Sequence, residues 1–378
     1  MKILFTGGGS GGHFYPIIAV AQAVITRAKE RKILLPSLHY MAPSKYNPRA
    51  LFDNDIEFLS VPAGKVRRYF SLLNITDAFK TAYGCIIALI KMYSLYPDVV
   101  FGKGGYASFP TLFAAKLLHI PVIIHESDSK PGRVNLWAAK FARKIAISYP
   151  DAADHFKKTP PDRIAHTGNP VRSDIIIPLS NGAHDFLKLE QTTPTVLILG
   201  GSQGSQNIND VILAALPELL NRYQIIHQTG RANIEEIKST TEIILKDHPY
   251  AHRYHPMDYL NDLTLRMSAG VAEIIVSRAG STIFEIAAWG IPSIIIPLPH
   301  SISHDQTSNA FSYGRTGAAT VVQENNLSAH IIIGEIDRIH NNPTIQQSMK
   351  DQARAFARLD SSTLIADVLI DIALEHEH

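Results

Sequence analysis

The sequence of 378 residues contains one cysteine, Cys85, so no disulfide can form within the chain. This cysteine usage indicates a reducing compartment such as the cytoplasm. A marked excess of either charge is also missing, because 36 basic and 34 acidic side chains leave a formal net charge of +2. Proteins that bind nucleic acid broadly carry a strongly basic footprint, so near neutrality argues against such binding.

Long apolar segments are missing as well. The longest run, Ala82–Ile90, lies between Lys80 and Lys91 and is far shorter than the about 20 residues of a membrane-spanning helix. The first residues, MKILFTGGGSGG, lead from a short apolar strand directly into glycines, without the longer apolar segment and cleavage site of a signal peptide. We therefore expect a cytoplasmic protein that at most contacts a membrane surface.

Metal-binding patterns are scarce. The histidines show neither His-Glu-x-x-His nor Cys/His spacing. Asp53-Asn54-Asp55 matches the Asp-x-Asp of metal-dependent sugar transferases, but it precedes a predicted strand, Phe58–Val61, instead of following one. We interpret it as a turn, and we predict neither a metal ion nor another cofactor.

What the sequence does contain is a regular alternation of β-branched runs and amphipathic stretches, which predicts doubly wound α/β domains. Several runs are apolar throughout, as expected for parallel strands covered on both faces. The predicted strands are Lys2–Thr6, Leu38–Met41, Val99–Phe101, Val122–His125, Lys144–Ser148, Ile164–Thr167, Thr195–Leu199, Gln224–Gln228, Glu273–Ser277, Ser293–Pro297 and Ala319–Val322.

Two domains are predicted, since ILFTGGGSGG near the start and LILGGSQGSQN near the middle both read as strand, glycine loop and helix. A stretch rich in Pro, Ser, Asn and Gly after Arg172 resembles an interdomain linker. We expect two Rossmann-like domains facing each other across a cleft. Their predicted bounds are 1–167 and 168–345, with C-terminal helices in 346–378 that pack back toward the first domain.

Glycine loops in the second half indicate an anion site. Gly200–Ser205 and Arg278–Thr282 each follow a predicted strand and precede a helix, where peptide N–H groups face a bound phosphate. Glu285, one turn into the second helix, is placed to accept hydrogen bonds from ribose hydroxyls. Asp305, Gln306 and Asn309 open a later helix and suit sugar hydroxyls. Each loop alone is also compatible with an ordinary turn.

The first glycine loop, Gly7–Gly12, satisfies G-x-G-x-x-G, so a dinucleotide site has to be considered. However, Met41–Lys45 stands where the acidic residue of that site is expected. His13, at the start of the following helix, is suited to act as a general base on an acceptor hydroxyl. The loop Gly102–Ser108, the run His125–Asp128 and Asn135 add polar groups at neighbouring strand ends.

In this order along the chain, the motifs resemble the bacterial GT-B glycosyltransferases of family 28 that convert lipid I to lipid II. The motifs that carry the resemblance are GGGSGGHFYP, GKGGYASFP, IHESD, TGNPVR, GGSQGSQNIN, SRAGSTIFEIAAWGIPSIIIPLP and HDQTSNA. The resemblance spans Met1 to about Gly317. It implies an inverting, metal-independent transfer of N-acetylglucosamine (GlcNAc) from UDP-GlcNAc to the C4 hydroxyl of a lipid-linked muramyl-pentapeptide.

The resemblance also implies roles for individual residues. His13 corresponds to the catalytic base. The donor side corresponds to Ser10, Gly11, Arg172, Gly201, Ser202, Gln203, Gly204, Met257, Gly280, Ser281, Thr282, Glu285, Asp305 and Gln306. The acceptor side corresponds to Gly12, His13, Gly104, Gly105, Tyr106, His125, Asp128 and Asn135.

Three features depart from the family pattern. Ser127-Asp128 replaces the usual Gln-Asn, the RAGSTIFE segment is one residue shorter, and Asp305 stands where His or Gln is common. A related transferase with another lipid acceptor, a nucleotide-sugar epimerase, an NAD(P)-dependent oxidoreductase and a non-catalytic nucleotide-sugar-binding protein therefore remain as alternatives. Residues 64–73 combine basic and apolar side chains and are predicted to contact an anionic membrane surface.

Overall fold

The computed structural model describes residues 1–65, 73–201, 204–299 and 304–376. They form two compact units. Unit 1 comprises Met1–Arg172 and Arg358–His378, and unit 2 comprises Ser173–Ala357. Each unit contains one sheet of parallel strands with helices in the connections, so the predicted pair of Rossmann-like α/β domains is confirmed.

The sheet of unit 1 has seven strands in the order β3-β2-β1-β4-β5-β6-β7. The order reverses between β1 and β4, which creates a switch point at the carboxyl ends of these strands, where open α/β sheets bind ligands. Most of these strand residues are buried, which agrees with their apolar sequences. The strands are β1 Lys2–Thr6, β2 Ser37–Ala42, β3 Ile56–Ser60, β4 Val99–Gly102, β5 Val122–Glu126, β6 Lys144–Ile147 and β7 Ile164–His166.

In the described ranges of unit 1, five α-helices follow these strands. Asn47 caps the second one, since its Oδ1 accepts from the Ala50 N–H at 3.1 Å. Asp53–Asp55 ends that helix and leads into β3, so its interpretation as a turn before a strand is confirmed. The helices are α1 Gly11–Glu30, α2 Pro48–Asp53, α3 Leu73–Leu95, α4 Phe109–Leu117 and α5 Arg133–Ala138.

The sheet of unit 2 has six strands in the order β10-β9-β8-β11-β12-β13. Its switch point lies between β8 and β11. The strands are β8 Thr195–Leu199, β9 Gln224–Gln228, β10 Tyr254–Met257, β11 Ala272–Ser277, β12 Ser293–Ile295 and β13 Ala319–Val321. The sequence did not predict β10, because Pro256 interrupts it. Proline is tolerated there because β10 is an edge strand, where one side of the backbone needs no partner.

Nine α-helices lie in the described part of unit 2. Asn342 caps the last of them through an Ile345 N–H to Oδ1 bond of 3.1 Å, and Pro343 occupies the first helical position. The helices are α6 Ser173–Ile176, α7 Ala183–Leu187, α8 Gln206–Leu219, α9 Ile234–Ile244, α10 Asp262–Val271, α11 Thr282–Trp289, α12 His304–Gly314, α13 Ala329–His340 and α14 Pro343–Phe356.

The predicted linker after Arg172 is instead part of unit 2. It forms α6 and α7, and the side chains of Ile175 and Leu187 are buried. The Trp289 Nε1–H donates to the carbonyl oxygen of Ile175 at 2.8 Å. Composition alone predicted a linker, but these apolar side chains anchor the segment to the unit 2 core.

The last helix, α15 Ser361–His376, belongs to unit 1. Its buried residues Ala366, Leu369 and Ile370 join the core formed by β1 and α1. Arg27 Nε on α1 contacts Asp367 Oδ1 at 2.8 Å. The change from unit 2 to unit 1 occurs at 357/358, whereas the predicted bound at 345/346 falls inside α14.

Candidate active site

The glycine loop after β1 places His13 at the switch point of unit 1. Helix α1 begins at Gly11, so His13 is its third residue, and the His13 N–H donates to the Ser10 carbonyl at 3.2 Å. The Tyr40 hydroxyl donates to the Gly7 carbonyl at 2.7 Å and fixes the start of the loop. The imidazole therefore lies at the N-terminus of a helix, where positive charge is disfavoured.

A backbone carbonyl selects the tautomer of His13. Nδ1 lies 3.1 Å from the carbonyl oxygen of Lys103, and because a carbonyl only accepts, Nδ1 carries the proton. The lone pair is therefore on Nε2, which faces Gly105: a Cβ added there would lie 3.8 Å from Nε2. Burial lowers the pKa of His13, the positive charge of Lys103 lowers it further, and Asp128 acts in the opposite direction. The site thus presents a neutral base.

Lys103 is the fully buried centre of a polar cluster next to His13. Its Nζ lies 2.6 Å from His125 Nδ1 and 3.0 Å from Asn169 Oδ1, and it also donates to the Ser127 hydroxyl. Burial lowers the pKa of Lys103 to about 7, while the charges of Glu126 and Asp128 oppose this shift. The positive charge at the switch point of unit 1 is therefore that of a buried side chain, Lys103.

Glu126 is the acidic counterpart of Lys103. Burial raises its pKa to about 7, and the negative charge of Asp128 raises it as well. Three hydrogen bonds to the Glu126 carboxylate lower its pKa. The donors are the Asp128 N–H at 3.0 Å, the Gly132 N–H at 3.0 Å and Asn135 Nδ2 at 2.9 Å. Glu126 thereby fixes the loop that carries Asp128, and it holds Asn135 in place.

The loop after β4 requires glycine. Gly104 has φ +82°, and a Cβ there would lie 2.7 Å from Asn135 Nδ2. Tyr106 follows Gly105 in a short turn, and Lys65 Nζ lies 5.6 Å from the centre of its ring. The structure thus places the predicted acceptor residue Gly105 next to the His13 ring, and it connects Gly104, Asn135 and His125 to one another beside this loop. His125 and Asn135 are buried, so they shape the loop from within.

Arg172 lies in unit 1, although the predicted bounds assigned it to the second domain. Its guanidinium carbon is 4.4 Å from the centre of the Tyr15 ring, a cation–π distance. Tyr15 also borders Gly11, since a Cβ on Gly11 would lie 3.5 Å from that ring. Arg172 therefore stands near Ser10, Gly11 and Gly12 at the mouth of the first glycine loop.

In unit 2, the loop after β8 closes tightly at Gly204. This residue has φ +77°, and a Cβ would lie 2.1 Å from the Thr229 carbonyl, so no side chain fits. Within the described part of the chain, no atom beyond its chain neighbours lies within 4 Å of a Cβ added at Gly201. Ser202 and Gln203 lie outside the described residues.

Arg278 connects that loop with the neighbouring strand ends. Its Nε donates to the Ser205 hydroxyl at 3.1 Å, and its Nη1 donates to the carbonyls of Ile296 and Pro297 at 3.3 and 3.4 Å. Glu324 neutralises it through a direct ion pair, and both side chains are about nine-tenths buried. One arginine therefore sets the relative positions of the segments after β8, β11 and β12.

The N-terminus of α11 is the second place in unit 2 where the sequence predicts an anion site. Gly280 precedes it, and among the described residues no atom beyond its chain neighbours lies within 4 Å of an added Cβ. Ser281 caps the helix without a side-chain hydrogen bond. Thr282 begins the helix and Glu285 is in its first turn, half-buried. Peptide N–H groups at this helix start suit a phosphate.

The remaining predicted donor residues lie at neighbouring strand ends. Met257 is the last residue of β10, and its carbonyl accepts from the Thr229 N–H at 2.9 Å. Gln306 Oε1 accepts from the Leu298 N–H at 3.2 Å, which ties α12 to the segment after β12. Asp305 is in the first turn of α12.

Sequence reasoning named no role for four residues that organise these sites. They are Lys103, Glu126, Asn169 and Arg278. Each charged member follows or ends an apolar strand, and a charge at such a position has to be paired once it is buried. The position of these three charged residues at strand ends could have identified them from the sequence. For Asn169 the sequence offers no such indication beyond the neighbouring glycine and proline.

Two family models match the chain. The glycosyltransferase family 28 N-terminal domain matches residues 3–147, and the family 28 C-terminal domain matches residues 195–365. The chain belongs to glycosyltransferase family 28. The family resemblance seen in its motifs is therefore confirmed, and so is its class as a glycosyltransferase.

Relatives of this family 28 chain are named UDP-N-acetylglucosamine--N-acetylmuramyl-(pentapeptide) pyrophosphoryl-undecaprenol N-acetylglucosamine transferases. One from Treponema denticola is 34% identical, covering 97% of this chain and 96% of its own length. Another, from Bacillus thuringiensis subsp. konkukian and named transferase 2, is 34% identical over 92% of this chain and 94% of its own length.

Solved structures show the same fold. MurG from Acinetobacter baumannii has a TM-score of 0.73 and 24% identity, covering 98% of this chain and 99% of its own. A UDP-GlcNAc 2-epimerase from Neisseria meningitidis bound to UDP-GlcNAc has a TM-score of 0.68 and 17% identity, covering 98% and 100%. These likenesses confirm the predicted GT-B fold for this family 28 transferase.

Proposed function

We propose that this chain transfers GlcNAc from UDP-GlcNAc to the C4 hydroxyl of the muramyl sugar of lipid I, giving lipid II for peptidoglycan synthesis. His13 carries the proposal, because its ring presents an unprotonated Nε2 at the switch point of unit 1. A transfer to a hydroxyl needs such a base, whereas a protein that only binds nucleotide sugars does not.

The step is a single inverting displacement. His13 Nε2 takes the proton of the acceptor hydroxyl, the hydroxyl oxygen forms the bond to the anomeric carbon, and the bond from that carbon to the diphosphate oxygen breaks. UDP leaves with the electron pair of the broken bond. The proton is then released from His13, so the ring returns to its neutral form.

The donor is proposed to lie against unit 2. The N–H groups around Gly280–Thr282 and Gly201–Gly204 would bind the diphosphate, and Glu285 would accept from the ribose hydroxyls. Met257 would lie near the uracil, with Asp305 and Gln306 near the sugar. Developing charge on UDP is stabilised by preorganised N–H groups and Arg172 in this scheme, so it requires no metal ion.

The acceptor is proposed to lie against unit 1. In this proposal the acceptor lies beside the His13 ring, where it contacts Gly12, Gly105 and Tyr106. The carboxylate of Asp128 accepts a hydrogen bond from the acceptor. Buried His125 and Asn135 act through the backbone they hold, since Asn135 Nδ2 donates to the His125 carbonyl at 3.0 Å. This division separates residues that contact substrate from those that position them.

The test is transfer of radiolabelled GlcNAc from UDP-GlcNAc to a lipid I analogue in the presence of EDTA. We expect lipid II formation, and calorimetry should show UDP binding without divalent metal. A screen of other nucleotide sugars checks the donor, and a glycolipid acceptor checks the lipid. NADH binding without UDP binding would contradict the proposal, and so would formation of the 2-epimer of UDP-GlcNAc without any transfer.

We further propose that unit 1 docks on the inner face of an anionic membrane, where a lipid-linked acceptor resides. Most of the predicted contact loop, residues 66–72, lies outside the described residues. Helix α3 next to it carries six exposed apolar side chains on one face: Ile75, Phe79, Tyr83, Ile86, Ile90 and Tyr93. Among the described residues, no helix is long and apolar enough to cross a bilayer. An interfacial contact through α3 fits this pattern.

A further inference from the structure

Lys103 is a buried ammonium group with a complete set of acceptors. Its side chain is 0% exposed, and its Nζ contacts His125 Nδ1, the Ser127 hydroxyl and Asn169 Oδ1. An ammonium group has three N–H donors and no acceptor, so these three partners account for all of its protons. A buried charge satisfied in this way is costly to remove, because each partner would be left unpaired.

This contact fixes the tautomer of His125. Because the ammonium donates to Nδ1, that nitrogen carries a lone pair, and the ring proton has to be on Nε2. Nε2 lies 3.0 Å from the Gly168 carbonyl, which accepts that proton. The ring of His125 thus bridges the β4 loop and the segment that contains Asn169. Both burial and the charge of Lys103 hold the pKa of His125 well below its ordinary value.

The same residue controls His13 in two ways. Its backbone carbonyl accepts from His13 Nδ1, which directs the Nε2 lone pair toward Gly105. Its charge disfavours a second proton on the imidazole. Three charged or titratable groups act on this pair: the His125 ring, Glu126 and Asp128. Asp128 and the hydrogen bond to the Lys103 carbonyl stabilise protonated His13, whereas burial and then the charge of Lys103 disfavour it.

We propose that Lys103 is a positioning residue of the transfer reaction: its ammonium holds His125 in the Nε2–H form and disfavours a second proton on His13. This proposal rests on the proposed function only for its kinetic consequence. The tautomers themselves follow from contacts inside unit 1. Lys103 does not contact the reacting atoms in this scheme; it acts through the two histidines and the loop between them.

The first test is the pH dependence of kcat/KM for Lys103→Met, between pH 5 and 9. Removing the charge should move the acid limb to higher pH by roughly one unit, an ordinary size for a pKa perturbation in proteins. At pH 6 the variant should therefore lose about threefold more activity than at pH 8, and the difference should approach tenfold at lower pH. Lys116→Met, which removes an exposed lysine of the same unit, should leave the profile unchanged. An acid limb of Lys103→Met that coincides with that of the wild type would overturn the proposal.

A second measurement needs no stable variant at position 103. Imidazole ¹⁵N chemical shifts of the wild-type protein report the tautomers, with His13 and His125 assigned by comparison with His13→Gln and His125→Gln. We expect Nε2–H for His125 and Nδ1–H for His13, with neither ring protonated at pH 7. A His125 ring that carries its proton on Nδ1, or is protonated at pH 7, would refute the proposal. If the wild type shows the expected tautomers without any sugar transfer, the proposed function fails and the placement of Lys103 stands.

Discussion

At the scale of single residues, the chemistry of unit 1 depends on which nitrogen of His13 carries a proton. The Lys103 carbonyl fixes that choice, and Lys103 contacts both histidines of the cluster, His13 through this carbonyl and His125 through Nζ. A histidine in a flexible loop would exchange between tautomers. Here the glycine loop and the helix start hold the base before a substrate arrives.

Replacing His13 by alanine should lower kcat by roughly 10²–10⁴, the usual contribution of a general base. UDP affinity should stay near that of the wild type, because the proposed nucleotide contacts are mainly in unit 2. Single-turnover transfer and calorimetry with UDP measure the two quantities. His155→Ala, at an exposed histidine of unit 1, serves as the control. An unchanged rate in His13→Ala would exclude this residue from proton transfer.

At the scale of elements, two helices of unit 1 show how apolar residues are used differently. Helix α15 buries Leu369 and Ile370 against α1 and β1, whereas α3 leaves one apolar face exposed. Both helices are rich in apolar residues in the sequence. Only the packing shows that α15 completes a core and that α3 presents a surface.

Leu369→Ala should destabilise unit 1 by about 2–5 kcal/mol, because it leaves a cavity where α15 meets α1. The neighbouring change Leu364→Ala, at a side chain that is 42% exposed, should cost much less. Hydrogen exchange of α1 amides, together with urea unfolding, compares the two variants. Equal losses at both positions would mean that α15 does not belong to the unit 1 core in solution.

The exposed face of α3 should mediate vesicle binding. We expect the double change Phe79→Ser and Ile86→Ser to weaken binding to phosphatidylglycerol vesicles at least about tenfold, because two large apolar side chains no longer insert. The matched control changes Leu34 and Leu35, exposed apolar residues of the same unit, to serine. Vesicle flotation at low and high salt distinguishes the apolar contribution to binding from the electrostatic contribution. Equal binding by both double variants would remove α3 from the contact.

At the scale of the whole molecule, we expect buried neutral histidines in both units to lower stability in acid. His125 is one in unit 1. His227 is the counterpart in unit 2, where Nε2–H donates to Asn209 Oδ1 at 3.1 Å and Nδ1 accepts from the Tyr254 hydroxyl at 2.9 Å. Burial lowers the pKa of His227 to about 3. Neither ring accepts a second proton without losing its partners.

Unit 2 should therefore lose stability as the pH falls from about 6.5 to about 3. Over this interval the unfolded chain binds a proton at His227 and the folded chain does not, which costs up to about 1.4 kcal/mol per pH unit. Urea unfolding at several pH values measures the slope, and His227→Gln should reduce it. His330→Gln, an exposed change on α13, should not. A slope that is the same in all three proteins would contradict this role for His227.

Most of the fold was predictable from local pattern. The interiors of parallel strands such as β1 and β8 are apolar, and glycine loops mark their carboxyl ends, so both halves were readable as Rossmann-like. The edge strand β10 was missed because Pro256 masks its pattern. Helices α6 and α7 were missed because their turn-rich composition resembles a linker, while their buried anchors become visible only in contact with the core.

The sequence by itself determined the architecture, the family and the positions of the glycine loops, because these depend on periodicity and on residues adjacent in the chain. Only the tertiary structure decided which charges are buried together. Lys103 and Asn169 are 66 residues apart, and Arg278 and Ser205 are 73 apart, yet each pair is in hydrogen-bond contact. The protonation state of a histidine depends on such neighbours, since electrostatic effects follow distance in space and not along the chain.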